Sequence, residues 1–461
     1  MPHRNLFAII MVGAVSLLCW QTTQGAKPKD KDDVMELYGV FVDAVEQVEA
    51  NYVRPVSRRE LLENALKGML QNLDPHSAYI NQADWKRFKR QIEGSFSGIG
   101  IQVDNDDNNR LVVISPLVGT PAHSAGILAG DVILEIDGKS TEGITIDKAI
   151  EILQGRPGTS VSLKILHAAS KKAESVTLNR AIIEVPSVLG DTREADGHWN
   201  FMLDKDKKIG YIRITSFIQK TADELRKALD ELKEQGMKGL IIDLRDNPGG
   251  LLSSAVEVSD LFIDSGKIVS TKGRNTPEKI FEAQKEGTYS DFPMAVIVNE
   301  GSASAAEIVS AALQDHKRAA IVGQRSFGKG SVQNILDLED GNSVLKLTVA
   351  TYWRPSGKNI HKFKDSKESD DWGVSPDAGL EIKYTPEEHV AWVLSQIKKD
   401  HDRLPFVPKP DRNGKDKEKG KDAEKAAHAS DKPFEDRQLE KAVAVVKDKL
   451  AAPDAKAAAL K

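Results

Sequence analysis

Apolar residues recur at helical spacing along the first stretch of the chain. Val34, Leu37, Tyr38, Phe41, Val45 and Val48 share one helical face. Leu61, Leu62, Leu66, Met69 and Leu70 do so again before Pro75 breaks the second run. Residues 145–153 read as a further helix, and 161–166 and 176–178 as strands. Beyond residue 184 the two periods alternate. Residues 209–214 form an apolar strand, 221–235 an amphipathic helix, and 240–244 a strand apolar apart from Asp243. Helix 251–263, strand 295–298 and helix 303–314 follow. Short buried strands alternating with helices argue for an open α/β sheet with helices on its faces. From Arg403 the pattern is lost. Residues 409–432 are a mixed-charge run interrupted by Pro and Gly, of the composition expected of disorder. Helical spacing returns over 434–450, where Leu439, Ala442, Val443, Val446 and Leu450 offer one face to a partner or a second copy.

A chain of 461 residues has room for two or three cores. Its net charge of −5 gives no electrostatic reason to expect nucleic acid. The single cysteine, Cys19, lies in an N-terminal apolar segment, so the mature chain holds no internal disulfide, thiolate metal site or cysteine nucleophile. Residues 1–25 read as a secretory signal: His3 and Arg4 begin it, 6–20 are its apolar core, and Thr23 and Gly25 flank a cleavage point. The apolar run is short for a membrane span, and a retained anchor is the alternative. Leu18 before Cys19 fits a lipoprotein signal poorly. No His/Asp/Glu group carries ligand spacing, so neither a metal nor a cofactor is expected.

The chemistry concentrates in two stretches. N-E-G-S-A-S-A-A-E-I, residues 299–308, turns from a strand into a small-residue helix. A serine at such a turn exposes its hydroxyl beside unpaired backbone N–H groups, as an acyl-transfer nucleophile requires. F-G-K-G-S-V-Q, residues 327–333, sets a lysine between two glycines, where the backbone can come close to another group. A buried lysine falls from ~10.4 towards ~7–8, low enough to take a proton from serine. Together they suggest a Ser–Lys dyad, with Ser302 and Ser304 both open as nucleophile. A nucleotide-binding reading of G-Q-R-S-F-G-K-G, residues 323–330, fails because Gly330 replaces the magnesium-binding hydroxyl and a strand follows instead of a helix. His76 falls in a turn with no nucleophile motif beside it. His316, His361 and His389 lie in the core region, but no G-x-S-x-G elbow accompanies them.

The ordered set D-L-R-D-N-P-G-G (243–250), G-S-A-S-A-A-E and F-G-K-G-S-V-Q resembles the C-terminal, tail-specific processing peptidases over about residues 34–386. In that family the second serine of S-A-S is the nucleophile and the lysine lies 25 positions on. That interval, 304 to 329, selects Ser304 with Lys329 as general base, and Gln333 as the residue that orients the lysine. The oxyanion is expected at the backbone N–H of Ala305 and of Gly249 or Gly250, where a helix N-terminus meets a strand's carboxyl end. Asp315 stands where some members carry a charge-relay aspartate. A carboxylate beside the lysine would raise its pKa, so Asp315 and Glu307 read as structural first. F-S-G-I-G-I resembles the carboxylate-binding loop of a PDZ domain, with Gly98, Ile99, Gly100 and Ile101 at its centre. P-A-H-S-A-G-I-L-A-G-D-V-I-L-E-I-D-G-K, residues 121–139, resembles the middle of that domain. Such a loop turns N–H groups toward a terminal carboxylate, and the next strand pairs with the incoming peptide.

The resemblance implies a crotonase- or ClpP-like α/β core. The expected organisation is a signal over 1–25, a helical region over 26–95, a PDZ domain over 96–182, a serine peptidase core over 183–395 and a charged tail with one helix over 396–461. The expected function is an exported serine endopeptidase that selects substrates by apolar C-terminal tails. Its alternative is a catalytically inactive PDZ scaffold. Expected partners are peptide or protein substrates, an activator or adaptor protein and a second copy of the chain, with no nucleic acid. The periplasm of a two-membrane bacterium is the expected location, ahead of a plastid lumen.

Overall fold

The computed structural model describes residues 31–400, apart from 107, 195 and 196, together with 434–452. The expected signal and the charged run 409–432 lie outside the described residues. The chain divides into two compact units, Met1–Asn81 and Gln82–Lys461.

The first unit contains helices Lys31–Asn51 and Arg58–Gln71. Ser57 caps the second by accepting from Glu60 N at 3.1 Å. After it Asp74 closes the turn, accepting from His76 N, Ser77 N and Ser77 Oγ. His76 is therefore a turn residue, as its surroundings in the sequence suggested.

The second unit opens with helix Gln82–Glu93, which falls within the helical region expected over 26–95. A small β-domain follows. Strands Ile101–Asn105, Leu111–Pro116, Val132–Ile136, Ser160–Leu166 and Ala173–Asn179 pair in that order, all antiparallel. Alternate residues of Ser160–Leu166 point inward, so Val161, Leu163 and Ile165 are buried against Ile133, Leu111 and Val113. Helix Ile146–Leu153, capped by Thr145, closes this core with Ala149 and Leu153.

The larger domain is built on four parallel strands, Ile209–Ile214, Gly239–Asp243, Met294–Val298 and Ala319–Gly323, each hydrogen-bonded to the next. All four are buried along their whole length, which is why they are apolar apart from Arg213 and Asp243. Helices Thr221–Glu234, Leu252–Asp260 and Ala305–Asp315 pack their Leu225, Leu229, Val258, Ile308 and Val309 into one core with that sheet.

A second, antiparallel sheet was not anticipated. Lys279–Ala283 pairs with Gly266–Lys272, which pairs with Ser343–Trp353, which pairs with Ser331–Leu338. The period-two alternation of S-V-L-K-L-T-V-A-T-Y-W carried its signal, masked by the intermediate burial of both faces.

The C-terminal helix, Arg437–Ala451, finds its partner within the chain. Ala442 and Val446 are fully buried against Tyr211, Ile241, Ala295, Ile297 and Val322 on the other face of the parallel sheet. Asp436 at its head accepts from the buried Arg245 guanidinium at 2.9 Å on both oxygens, and from the Tyr384 hydroxyl. Val446→Asp buries a charge with no counterion in this layer. It should lower the melting temperature measured by circular dichroism by several degrees, where Ala444→Asp, at an exposed position of the same helix, should change it little.

Candidate active site

The nucleophile turn is shaped by Asn299. Its Oδ1 accepts from Asp246 N at 2.8 Å and Gly301 N at 3.1 Å, which bends the chain out of strand Met294–Val298. The two candidate serines then separate. Ser302 is fully buried; its hydroxyl donates to Leu244 O at 2.7 Å and accepts from Asn299 N at 2.9 Å, so it is committed to the fold. Ser304 lines the cavity described below and heads helix Ala305–Asp315 with φ of +55°. A non-glycine residue held there costs on the order of 1–3 kcal/mol and persists only where its surroundings enforce it.

Glu307 is the enforcing group. It has no solvent exposure, and its two oxygens accept four hydrogen bonds: from Ser304 N at 2.8 Å, Ser326 Oγ at 2.6 Å, Gly328 N at 2.6 Å and Lys329 N at 2.8 Å. One carboxylate thereby ties the serine turn to the lysine loop. Burial nevertheless outweighs these bonds and pushes its pKa up to about 7.

Lys329 is half-buried between two glycines. A Cβ on Gly330 would lie 2.3 Å from His361 N, so bulk is excluded on that side. Lys329 Nζ donates to Gln333 Oε1 at 3.2 Å. Burial, reinforced by the Lys346 ammonium, holds the Lys329 pKa below the ordinary lysine value, with the Glu307 charge opposing both. Tyr352 completes the group. Burial pushes its phenol up to about 12, and the Ser304 side chain is hydrogen-bonded to it.

Of the three backbone donors expected at an oxyanion site, Gly249 differs. Its N–H already donates to Asn247 Oδ1 at 2.8 Å. Its role here is close approach: a Cβ on Gly249 would stand 2.7 Å from Ser304 Cβ and 2.9 Å from Ala305 N. The amides of Gly250 and Ala305 are not drawn into the bonds that stitch this turn, among the described residues.

Asp315 is not brought to the lysine. It lies at the far end of its helix and lines a separate cleft with Arg354. It accepts from that guanidinium at 2.5 and 3.2 Å and from Ser356 N at 3.0 Å, and Arg354 helps hold its pKa below the usual carboxylate value. A charge-relay role is thereby corrected to an ion pair that anchors the helix C-terminus. Two of the core histidines are engaged elsewhere: His316 Nε2 with Lys267 O, and His389 with Asp246.

Ser304, Lys329, Gln333, Lys346 and Tyr352 open on one cavity of about 1720 Å³. Part of its wall is formed by Phe96 and by Thr145, Ile150 and Gln154 along the β-domain's helix, from N-cap to C-cap. Beside that wall Gly98, Ile99, Gly100 and Ile101 form the bend between strands Ser95–Gly98 and Ile101–Asn105. The Ile99 and Gly100 carbonyls there accept from Ala122 N and Leu117 N. Sequence reasoning missed Lys346 and Tyr352 because the strand that carries them was not recognised, and it set Glu307 aside.

Glu307→Gln keeps the volume but turns an amide NH₂ toward backbone N–H donors. It should destabilise by about 1–3 kcal/mol in urea unfolding and reduce any activity of this site disproportionately, since the turn and the lysine loop lose their common acceptor.

The chain is similar to known proteins over most of its length. Residues 208–379 match the model of peptidase family S41, 112–166 that of a PDZ domain, and 18–84 that of the activating protease CtpB N-terminal domain. The chain is 40% identical over 346 residues to a carboxy-terminal-processing protease of Bartonella bacilliformis, covering 74% of each chain. It is 39% identical to the carboxy-terminal processing protease CtpA of Bacillus subtilis, covering 69% of this chain and 66% of that one. Among solved structures, the photosystem II D1 C-terminal processing protease aligns at 30% identity and a TM-score of 0.42, over 75% of this chain and 92% of its own. The chain belongs to peptidase family S41, among the carboxy-terminal processing proteases, and is a serine peptidase that carries a PDZ domain.

Proposed function

We propose that this chain is an exported endopeptidase that captures substrates by an apolar C-terminal tail and cleaves them with a Ser304–Lys329 dyad. The observation that carries this reading is a desolvated lysine, its pKa lowered, sharing a cavity with a strained serine at a helix N-terminus. Ser304 Oγ attacks the scissile carbonyl carbon as its proton passes to the neutral Lys329 amine. The carbonyl oxygen becomes an oxyanion held by the Gly250 and Ala305 N–H groups. The tetrahedral intermediate collapses, the C–N bond breaks, and Lys329 returns the proton to the leaving amine. Water, deprotonated by the same lysine, then releases the acyl group.

The shared cavity supports the tail-reading part of the proposal. The cavity that holds Ser304 is also lined by Phe96, Thr145, Ile150 and Gln154 of the β-domain region, so a peptide bound at that domain would have its nearby residues close to the nucleophile. An activator or adaptor would act by filling or freeing that groove. Export rests on the residue pattern of 1–25, and the periplasm is the compartment it suits.

The test is cleavage of an unfolded protein bearing an apolar C-terminal tail. Ser304→Ala and Lys329→Ala should each abolish turnover, whereas Ser302→Ala should lose stability first. Activity that survives Ser304→Ala sinks the assignment. The neutral amine is the active form, so kcat/KM should rise with pH through the Lys329 pKa, at a pH below the ordinary lysine range. Lys346→Met removes a like charge and should move that rise to higher pH.

A further inference from the structure

A primary amide offers an acceptor on one side and two donors on the other, so the way round that Gln333 is held decides what Lys329 meets. Here Gln333 Oε1 receives Lys329 Nζ at 3.2 Å, while Nε2 donates to Ser331 Oγ at 2.9 Å and Thr348 Oγ1 at 3.2 Å. Both donors of the amide are occupied by hydroxyls on the side away from the lysine.

Thr348 reaches this position through a break in register. Strands Ser331–Leu338 and Ser343–Trp353 pair Ser331 with Thr351 and Val332 with Ala350, but Gln333 with Thr348. An uninterrupted ladder would set Gln333 opposite Val349, which has no polar atom to offer. A bulge at Val349 re-aims the strand so that a hydroxyl meets the amide.

The neutral Lys329 amine has two N–H bonds and one lone pair. Spending an N–H on Gln333 Oε1 leaves the lone pair for a serine hydroxyl. A reversed amide would turn an N–H toward the amine and consume that lone pair. We propose that Thr348 and Ser331 are positioning residues, which anchor the Gln333 amide against Lys329 with its oxygen toward the amine, so that Lys329 is left free to act as a base toward Ser304. This rests on the Ser304–Lys329 reading above.

The other groups facing the lysine are Lys346 from the strand of Thr348, Glu307 from helix Ala305–Asp315 and the Tyr352 phenol. Thr348→Val alters none of them and keeps the side chain's shape. The expected result is a fall in kcat of ~10–100-fold, as for a misaligned catalytic group, with KM unchanged. The acid limb of the pH profile should move to lower pH, because the ammonium form loses the acceptor that favours it. Thr348→Ser should restore both, and adding Ser331→Ala to Thr348→Val should deepen both. A ¹³C-lysine NMR titration, with Lys329 assigned by comparison with Lys329→Arg, should show the same downward shift without requiring turnover.

An unmoved Lys329 titration in Thr348→Val overturns the proposal, as does a kcat loss shared equally by Thr348→Ser. Lys329→Ala separates the two levels. If it retains activity, the dyad reading itself fails. If it is inactive while Thr348→Val titrates as the wild type does, only the orienting role fails.

Discussion

Two backbone segments 25 residues apart meet at one carboxylate, and the geometry of the site depends on it. Glu307 is fully buried; its partners are three backbone N–H groups and one hydroxyl, drawn from the serine turn and the lysine loop together. Burying an ionised carboxylate costs several kcal/mol, and hydrogen bonds to a charged group return ~1.5–3 kcal/mol each. The two nearly cancel, with burial ahead, which is what a pKa of about 7 expresses. Its place in the first turn of helix Ala305–Asp315 adds the favourable end of the helix dipole. A neutral amide of this shape would serve poorly, because three of the groups facing it are backbone N–H donors. The unfavourable φ of Ser304 follows from the same clamp, since its N–H is one of the four.

The lysine is balanced in a similar way. Desolvation and the Lys346 ammonium favour the neutral amine, whereas the Glu307 charge favours the ammonium. A base needs a pKa near the working pH rather than the lowest attainable one, and the Glu307 charge moderates the lowering that burial and Lys346 cause. The two buried titrations are also linked. Protonating Glu307 removes an attraction on the lysine ammonium but loosens the loop that carries it.

Much of this was legible in the sequence, for local reasons. Three of the four parallel strands, buried on both faces, read as largely apolar runs, while Ala319–Gly323 went unread; the strand-turn-helix at residues 299–308 and the glycine-flanked lysine carry their own conformational signatures. What was missed depends on long-range pairing. The register that sets Gln333 opposite Thr348, the Arg354 that claims Asp315, and the sheet face that receives Val446 all come from residues 15 to more than 200 positions away. A place between a strand's carboxyl end and a helix N-terminus offered Gly249 or Gly250 to the oxyanion, but only the fold shows that the Gly249 N–H is already taken by Asn247. The sequence favoured a structural Asp315 on electrostatic grounds, and the ion pair with Arg354 supplies the physical reason.

The hydrogen bonds around the dyad also bear on how readily it assembles. In this arrangement the Ser304 side chain is bonded to Tyr352 and the Lys329 amine to Gln333. Bringing serine to lysine exchanges one neutral hydrogen bond for another, and such bonds differ by ~1 kcal/mol or less in net terms. A peptide held with even micromolar affinity has ~8 kcal/mol of binding free energy. A small fraction of it, expressed as tighter binding to the assembled site, is enough to shift the population. The strained serine turn does not have to move for this to occur, because Glu307 fixes its backbone whichever partner the hydroxyl has. The rigid clamp and the cheap side-chain exchange are therefore complementary: one sets where the nucleophile is, and the other leaves open when it becomes one.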